Sequence, residues 1–187
     1  MKFPVHTMNT APEASRTTLE ATAKQYGFVP NLFGVLAESP TAVQAYAAIN
    51  KALEQSALSP VEQQVVTLTV SAINGCTYCM GAHSTVAQMV RMPEGILTAL
   101  RDQAPLSDKK LNALRTFVVS LMRHRGRVPE KDLEDFVTAG YSRQHILDVI
   151  TLLALKTLSN YANHLARTPL DPQFAPQAWS AKDAVVA

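Results

Sequence analysis

The chain has 187 residues, of which 47% are apolar and 17% are charged, and its formal net charge is +2. This composition is typical of a globular domain and excludes a disordered chain. The net charge is too small to indicate nucleic-acid binding. No apolar run approaches the ~20 residues that span a bilayer, and no segment resembles a secretory signal. We therefore predict one domain over residues 1–187, located in the cytoplasm, without membrane or nucleic-acid partners.

Signals for helices follow one another along the chain. Ser39-Pro40 and Ser59-Pro60 each combine a capping serine with a first-turn proline, and Gly27 and Gly140 are placed to end helices. No alternating strand pattern is present, so the prediction is all-α. After an N-terminal arm at 1–11, helices are expected at 12–26, 31–36, 40–55, 60–73, 76–89, a short stretch from 94, 109–124, 130–139 and 142–164.

Two further features concern organisation. Residues 59–100 and 107–150 show a similar order of capped helix, second helix and break, which suggests an internal helical repeat. The tail at 168–187 contains three prolines within its first nine residues. We expect this tail to be extended, in a position to wrap a neighbouring molecule.

The cysteine pair Cys76 and Cys79 is the strongest indication of chemistry. The Asn74–Gly75 break places both cysteines in the first turn of a helix, where backbone N–H groups and the macrodipole stabilise a thiolate. Two intervening residues let such a turn close a disulfide with little movement. His83 follows Cys79 by four residues on the same helical face, within reach to take or relay its proton. These features predict a redox-active dithiol.

The same residues leave two other interpretations open. A zinc site would use this cysteine spacing, but structural zinc usually has four ligands, and Cys76, Cys79 and His83 supply three. The cysteines could also pack simply as small apolar side chains, because free cysteine is often buried. Our prediction is a dithiol centre that needs no metal and no organic cofactor.

A family resemblance rests on the run from Leu58 to His83, LSPVEQQVVTLTVSAINGCTYCMGAH. This run resembles the signature of the alkylhydroperoxidase AhpD-like proteins of the carboxymuconolactone decarboxylase superfamily. The segments FVPNLF at 28–33 and NYANHL at 160–165 are similar to the longer, peroxidase-related branch. The resemblance covers most of residues 30–167 and implies an AhpD-like helical bundle that assembles as a trimer or a hexamer.

The resemblance also implies residue roles. In AhpD-like enzymes the second cysteine attacks the hydroperoxide and the first closes the disulfide, which gives these roles to Cys79 and Cys76. The histidine four residues further on belongs to a proton relay, and His83 matches it. A thiol or a thioredoxin-like reductant would then restore the dithiol. The resemblance therefore implies a peroxidase-type, antioxidant oxidoreductase.

Two positions depart from the family pattern. The relay glutamate lies twelve residues before the first cysteine, where this chain has Gln64. A glutamine can hydrogen-bond His83 but cannot accept its proton. Glu62 should point elsewhere, because two residues turn a helix by about 200°. Tyr78 occupies the other position, where other members have a histidine, so Gln64 and Tyr78 are the possible relay residues.

A polar patch ends the last predicted helix. Asn160, Asn163 and His164 share one helical face. The patch could line the dithiol pocket or a subunit interface, but we expect a solvated helix end with His164 near the negative end of the helix dipole.

Two alternative functions follow from the same sequence. Some members of the superfamily are decarboxylases that act on lactones of aromatic catabolism, but these typically lack the cysteine pair. A non-enzymatic redox sensor or zinc-binding protein is the other alternative. The hydroperoxide substrate itself cannot be read from the residues.

Overall fold

The computed structural model describes residues 2–180, which form nine α-helices and one short 3₁₀-helix. The α-helices are α1 Glu13–Tyr26, α2 Asn31–Leu36, α3 Pro40–Leu53, α4 Pro60–Ile73, α5 Thr77–Met89, α6 Glu94–Arg101, α7 Lys109–Arg123, α8 Glu130–Thr138 and α9 Arg143–Ala166. The 3₁₀-helix is Pro172–Gln177. No strand occurs between residues 2 and 180. The all-α prediction is confirmed, with helix ends within two residues of those expected.

Local signals explain where α4 and α5 begin and end. The Ser59 side chain accepts from the Glu62 backbone N–H, and the Glu62 carboxylate accepts from the Ser59 N–H, which forms a capping box. Glu62 also pairs with Lys110 at 3.1 Å. As expected, Glu62 therefore points away from the cysteines. Gly75 separates the two helices with a φ of 65°, a left-handed conformation that favours glycine.

Helix α4 lies at the centre of the bundle and contacts α5, α6, α7 and α9. Its side chains from Val65 to Ala72 are all buried, so it has no solvated face over this stretch. The 24-residue α9 packs against α2, α3, α4 and α5. The start of α5, with its two cysteines, is thereby enclosed between α4 and α9.

Both terminal segments pack on the bundle. In the N-terminal arm, the His6 N–H donates to the Gly34 carbonyl at 3.1 Å. A Cβ atom at Gly34 would lie 2.7 Å from the His6 carbonyl oxygen, so this close approach requires glycine. The prediction that the tail is extended is wrong for residues 172–177, and its wrapping of a neighbouring molecule stays a prediction. Residues 172–177 form the 3₁₀-helix and pack against α5 of the same chain, and the Trp179 indole donates to the Arg101 carbonyl at 3.0 Å.

The tail packs on the bundle because it carries apolar side chains. Its three prolines alone suggest an extended segment. Leu170, Phe174 and Trp179 all pack against the hydrophobic core. Residues 181–187 of the predicted tail lie outside the described residues.

The predicted internal repeat is matched in helix order but not in helix length. Helices α4, α5 and α6 have 14, 13 and 8 residues, whereas α7, α8 and α9 have 15, 9 and 24. The third helix of the second set, α9, is three times as long as the third helix of the first set, α6. Within residues 2–180, no helix has the length and hydropathy required to cross a membrane.

Candidate functional site: a buried dithiol beside a lysine

The cysteine pair lies where α5 begins. Cys76 is the extended residue that precedes the helix, and Cys79 is the third residue within it. Both are free thiols, exposed by only 0% and 1% of their surface. Cys79 is thus in the first turn as predicted, and the Cys76 N–H donates to the Ser71 carbonyl at 2.9 Å. This arrangement holds both sulfur atoms inside the protein.

Helix α9 covers the pair with polar side chains at helical spacing. Asn163 Nδ2 lies 3.3 Å from the Cys79 sulfur and 3.9 Å from the Cys76 sulfur. Ser159 Oγ lies 3.9 Å from the Cys79 sulfur. Residues three and four positions apart share one helical face, so these groups and Lys156 all point toward α5. Cys79 therefore has more polar contacts with α9 than Cys76 has.

A second chain of contacts joins α4, α5 and α9. Gln64 Oε1 lies 3.0 Å from His83 Nδ1, and Lys156 Nζ lies 2.9 Å from His83 Nε2. An amide oxygen only accepts, so Nδ1 carries the imidazole proton and Nε2 accepts from Lys156. The predicted Gln64–His83 contact is present. The two ring nitrogens of His83 contact Gln64 and Lys156, and its part in taking or relaying the Cys79 proton stays a prediction.

The two thiols have opposite electrostatic environments. Burial alone would raise the pKa of Cys79, but the hydrogen bond from Cys76, the charge of Lys156 and the contacts of Ser159 and Asn163 hold it well below its ordinary value. The pKa of Cys76 is raised by its hydrogen bond to Cys79 and by burial. The surroundings thus favour the thiolate at Cys79 and the thiol at Cys76.

The groups next to Cys79 have matching protonation states. Burial tends to lower the pKa of Lys156, but the neighbouring Cys79 more than offsets this and raises it. The pKa of His83 is held well below its ordinary value by burial and by the charge of Lys156. These shifts favour an ammonium at Lys156 and a neutral imidazole at His83.

Tyr78 has a different role from the relay role considered above. Its hydroxyl donates to the Asp171 carboxylate at 2.6 Å and accepts from the Leu32 N–H at 3.2 Å. Its ring packs edge-on against Phe174. Asp171 also accepts from the Asn31 N–H at the start of α2. Tyr78 therefore joins the tail to α2 and α5 rather than extending the chain of Gln64 contacts.

In the polar patch of α9, the two asparagines are buried and the histidine is exposed. Asn163 contacts both sulfurs, and Asn160 is buried with its oxygen accepting from Asn74 at 2.9 Å. The expectation of a solvated helix end is wrong for these two residues, because α9 continues past them against α5. His164 is exposed as expected and lines a groove of about 1150 Å³ with Arg115 and Arg123, among others, which contains neither cysteine.

Two residues of the site were missed in the sequence. Lys156 interrupts the apolar segment that begins at Ile146, and together with Asn160 and Asn163 it follows a spacing of four and three residues. This helical spacing could have indicated that Lys156 lies on the same face as the two asparagines. No feature of the sequence indicated a role for Ser159. No cluster of three or more histidine, cysteine, aspartate or glutamate side chains in residues 2–180 could hold a metal ion.

Comparisons with known proteins agree with this fold. Residues 40–117, which include both cysteines and His83, match the carboxymuconolactone decarboxylase family. No significant match to a curated protein sequence is found. A peroxidase-related protein with an alkylhydroperoxidase AhpD core from Ralstonia eutropha JMP134 is 23% identical, with a TM-score of 0.81 over 92% of this chain and 93% of that one.

Two other solved structures have the same fold. A peroxidase-related protein from Silicibacter sp. TM1040 is 21% identical, with a TM-score of 0.79 over 95% of this chain and 94% of that one. The debrominase Bmp8 is 13% identical, with a TM-score of 0.76 over 95% of each chain, and its cysteine-to-alanine variant was solved with 2,3,4-tribromopyrrole. The chain is therefore similar to the carboxymuconolactone decarboxylase family over residues 40–117, and it has the fold of these solved structures.

Proposed function

We propose that the protein is a cysteine-pair oxidoreductase that reduces hydroperoxides, with Cys79 as the attacking residue and Cys76 as the resolving residue. The observation that carries this proposal is the unequal surroundings of the two sulfurs. Cys79 has Asn163 at 3.3 Å and Lys156 as a neighbour, whereas Asn163 lies 3.9 Å from the sulfur of Cys76. A thiolate is the nucleophilic form of cysteine, so the residue kept ionised is the one expected to attack.

The reaction follows from these states. The Cys79 thiolate attacks the terminal oxygen of the hydroperoxide, the O–O bond breaks, and the leaving alkoxide takes up a proton to become an alcohol. Cys79 is now a sulfenic acid. The Cys76 thiol condenses with it, which forms the disulfide and releases water. An external dithiol supplies two electrons and two protons to restore the pair.

The alternatives explain less of the site. Lactone decarboxylation would leave the thiolate and its buried ammonium partner without a role. A zinc site would need His83 as a third ligand, but both nitrogens of its ring are in contact with Gln64 and Lys156. The dithiol cycle uses both cysteines and explains why the pKa of Cys79 is lowered while that of Cys76 is raised.

We further propose the setting in which the cycle operates. A small or slender hydroperoxide is favoured as substrate, since both sulfurs are buried. The reductant would be a thiol or a thioredoxin-like protein, in the cytoplasm, where thiols are normally kept reduced. Assembly as a homo-oligomer, either a trimer or a hexamer, remains part of this proposal.

Peroxide consumption tests the proposal. The reduced wild-type protein should lose two free thiols per hydroperoxide consumed and regain them with dithiothreitol. Cys79→Ser should abolish consumption, while the matched control His164→Gln, which alters an exposed residue of α9, should leave it unchanged. If the wild-type protein keeps both thiols in excess hydroperoxide, the proposal is wrong.

A further inference from the structure

Lys156 is the least expected residue of the interior. Its side chain is fully buried on α9, and no carboxylate in residues 2–180 lies within 4.0 Å of its nitrogen. An uncompensated buried charge costs several kcal/mol, so a buried lysine either loses its proton or has an anionic partner. Its surroundings therefore decide which state it adopts.

The titratable groups that act on Lys156 come from the side of α3 and the start of α5. Tyr46 approaches from α3, and Cys76, Cys79 and His83 approach from α5. Tyr46 is itself buried, and burial raises the pKa of its hydroxyl, so it stays neutral. His83 accepts a hydrogen bond from Lys156 and supplies no negative charge. The pKa of Cys76 is raised, so Cys79 is the remaining group that can form an anion.

Gln64 explains why His83 serves only as an acceptor. Its amide oxygen fixes the imidazole proton on Nδ1, so the lone pair of Nε2 points at Lys156 Nζ, 2.9 Å away. A glutamate at position 64 would instead favour a doubly protonated imidazole, which has no lone pair for the ammonium. The glutamine is therefore the residue type that fits a protonated lysine at this place.

We propose that Lys156 is the positioning residue that keeps Cys79 as a thiolate through a buried ion pair, and that Gln64 and His83 hold the ammonium in place. This arrangement takes the place of an acid–base relay that ends on His83. It rests on the proposed function only in taking Cys79 as the reactive cysteine.

The consequence for the reaction concerns charge. When Cys79 attacks, its negative charge passes to the leaving oxygen, which then needs a proton. At that moment the Lys156 ammonium carries an ionisable proton and no longer has the Cys79 thiolate as its partner. We expect it to neutralise the leaving oxygen directly or through one water molecule, and to regain the proton when the dithiol is restored.

The test is a pH titration of thiolate absorbance at 240 nm, with Cys79→Ser as the baseline. In the wild-type protein we expect the Cys79 midpoint to lie well below the ordinary thiol value of about 8.5. Lys156→Met should raise the midpoint and slow alkylation by iodoacetamide at pH 6 by about 10- to 1000-fold, the effect of an adjacent opposite charge. Lys156→Arg should restore most of that rate, and Lys51→Met, at an exposed lysine, should change nothing.

The outcomes separate the two proposals. A wild-type midpoint near 8.5, or an unchanged midpoint in a folded Lys156→Met variant, would overturn the ion pair. If Lys156→Met does not fold, the midpoint of the wild-type protein and the alkylation rate of Lys156→Arg still test whether the ion pair is present. No hydroperoxide enters this titration, so a low midpoint in a protein that consumes no hydroperoxide would refute the proposed function and leave the ion pair intact.

Discussion

Oxidation of the cysteine pair should destabilise this protein, contrary to the usual effect of a disulfide. Once Cys76 and Cys79 form a disulfide, neither sulfur carries a charge, and Lys156 loses its anionic partner. Its nitrogen then keeps only the contact with His83, at 2.9 Å. A fully buried ammonium in that position must either stay uncompensated or give up its proton.

Two opposing contributions set the change in the free energy of unfolding on oxidation. Removing one partner of a buried ion pair typically costs about 3–5 kcal/mol. Closing a loop as short as that from Cys76 to Cys79 contributes about 2 kcal/mol in the chain-entropy account. The free energy of unfolding should therefore be about 1–3 kcal/mol lower in the oxidised form. For a chain of this length, that difference lowers the midpoint of thermal unfolding by about 2–12 °C.

Thermal unfolding of the reduced and the oxidised protein checks this prediction. Lys156→Met provides the matched comparison, because its oxidised form has no buried charge and should be at least as stable as its reduced form. An oxidised wild-type protein that unfolds at a higher temperature than the reduced one would refute the reasoning. It would show that Lys156 does not depend on the Cys79 thiolate.

Three other predictions concern the relay, the tail and pH. Gln64→Glu should lower the rate of peroxide reduction, because it favours a doubly protonated His83 that can no longer hold the Lys156 ammonium beside Cys79; a tenfold increase would show instead that the missing carboxylate limits the reaction. Asp171→Asn should lower the free energy of unfolding by about 1.5–3 kcal/mol, since it weakens charge-assisted bonds from Tyr78 and Asn31, and urea unfolding against the exposed control Gln173→Asn measures this. The lowered pKa of Cys79 contributes stability that is complete above the unfolded thiol value of about 8.5 and is lost as pH falls through the folded value. Urea unfolding between pH 5 and 9 should therefore show a stability that falls toward acid in the wild-type protein, with a weaker dependence in Cys79→Ser.

Much of the fold could be predicted because its helix boundaries are local. The Ser59-Pro60 start and the Asn74–Gly75 break act within a few residues, and the structure has α4 between them. The tail could not be predicted in the same way. Its position depends on Asp171 meeting Tyr78 and on Leu170 packing over Gly81, contacts between residues about 90 positions apart that no local pattern encodes.

The residues of the site also differ in whether local sequence patterns could predict them. The Cys76–Cys79 spacing and the His83 register are local, and both residue placements follow from the start of α5. Lys156 is 77 positions from Cys79 in the sequence, and only the packing of α9 on α5 brings them together. In the sequence by itself, a lysine in an apolar segment indicates a break in the buried face of the helix. In the folded protein, the proximity of Lys156 to the Cys79 thiol gives it a chemical role.

Trapping of the oxidised cysteine tests the central claim most directly. Reduced Cys76→Ser is treated with one equivalent of hydroperoxide in the presence of dimedone, and the modified residue is located by mass spectrometry. The account predicts a dimedone adduct on Cys79 in this variant, none on Cys76 in the matched Cys79→Ser variant, and a Cys76–Cys79 disulfide in the wild-type protein. An adduct on Cys76 in Cys79→Ser, with Cys79 unmodified in Cys76→Ser, would contradict it.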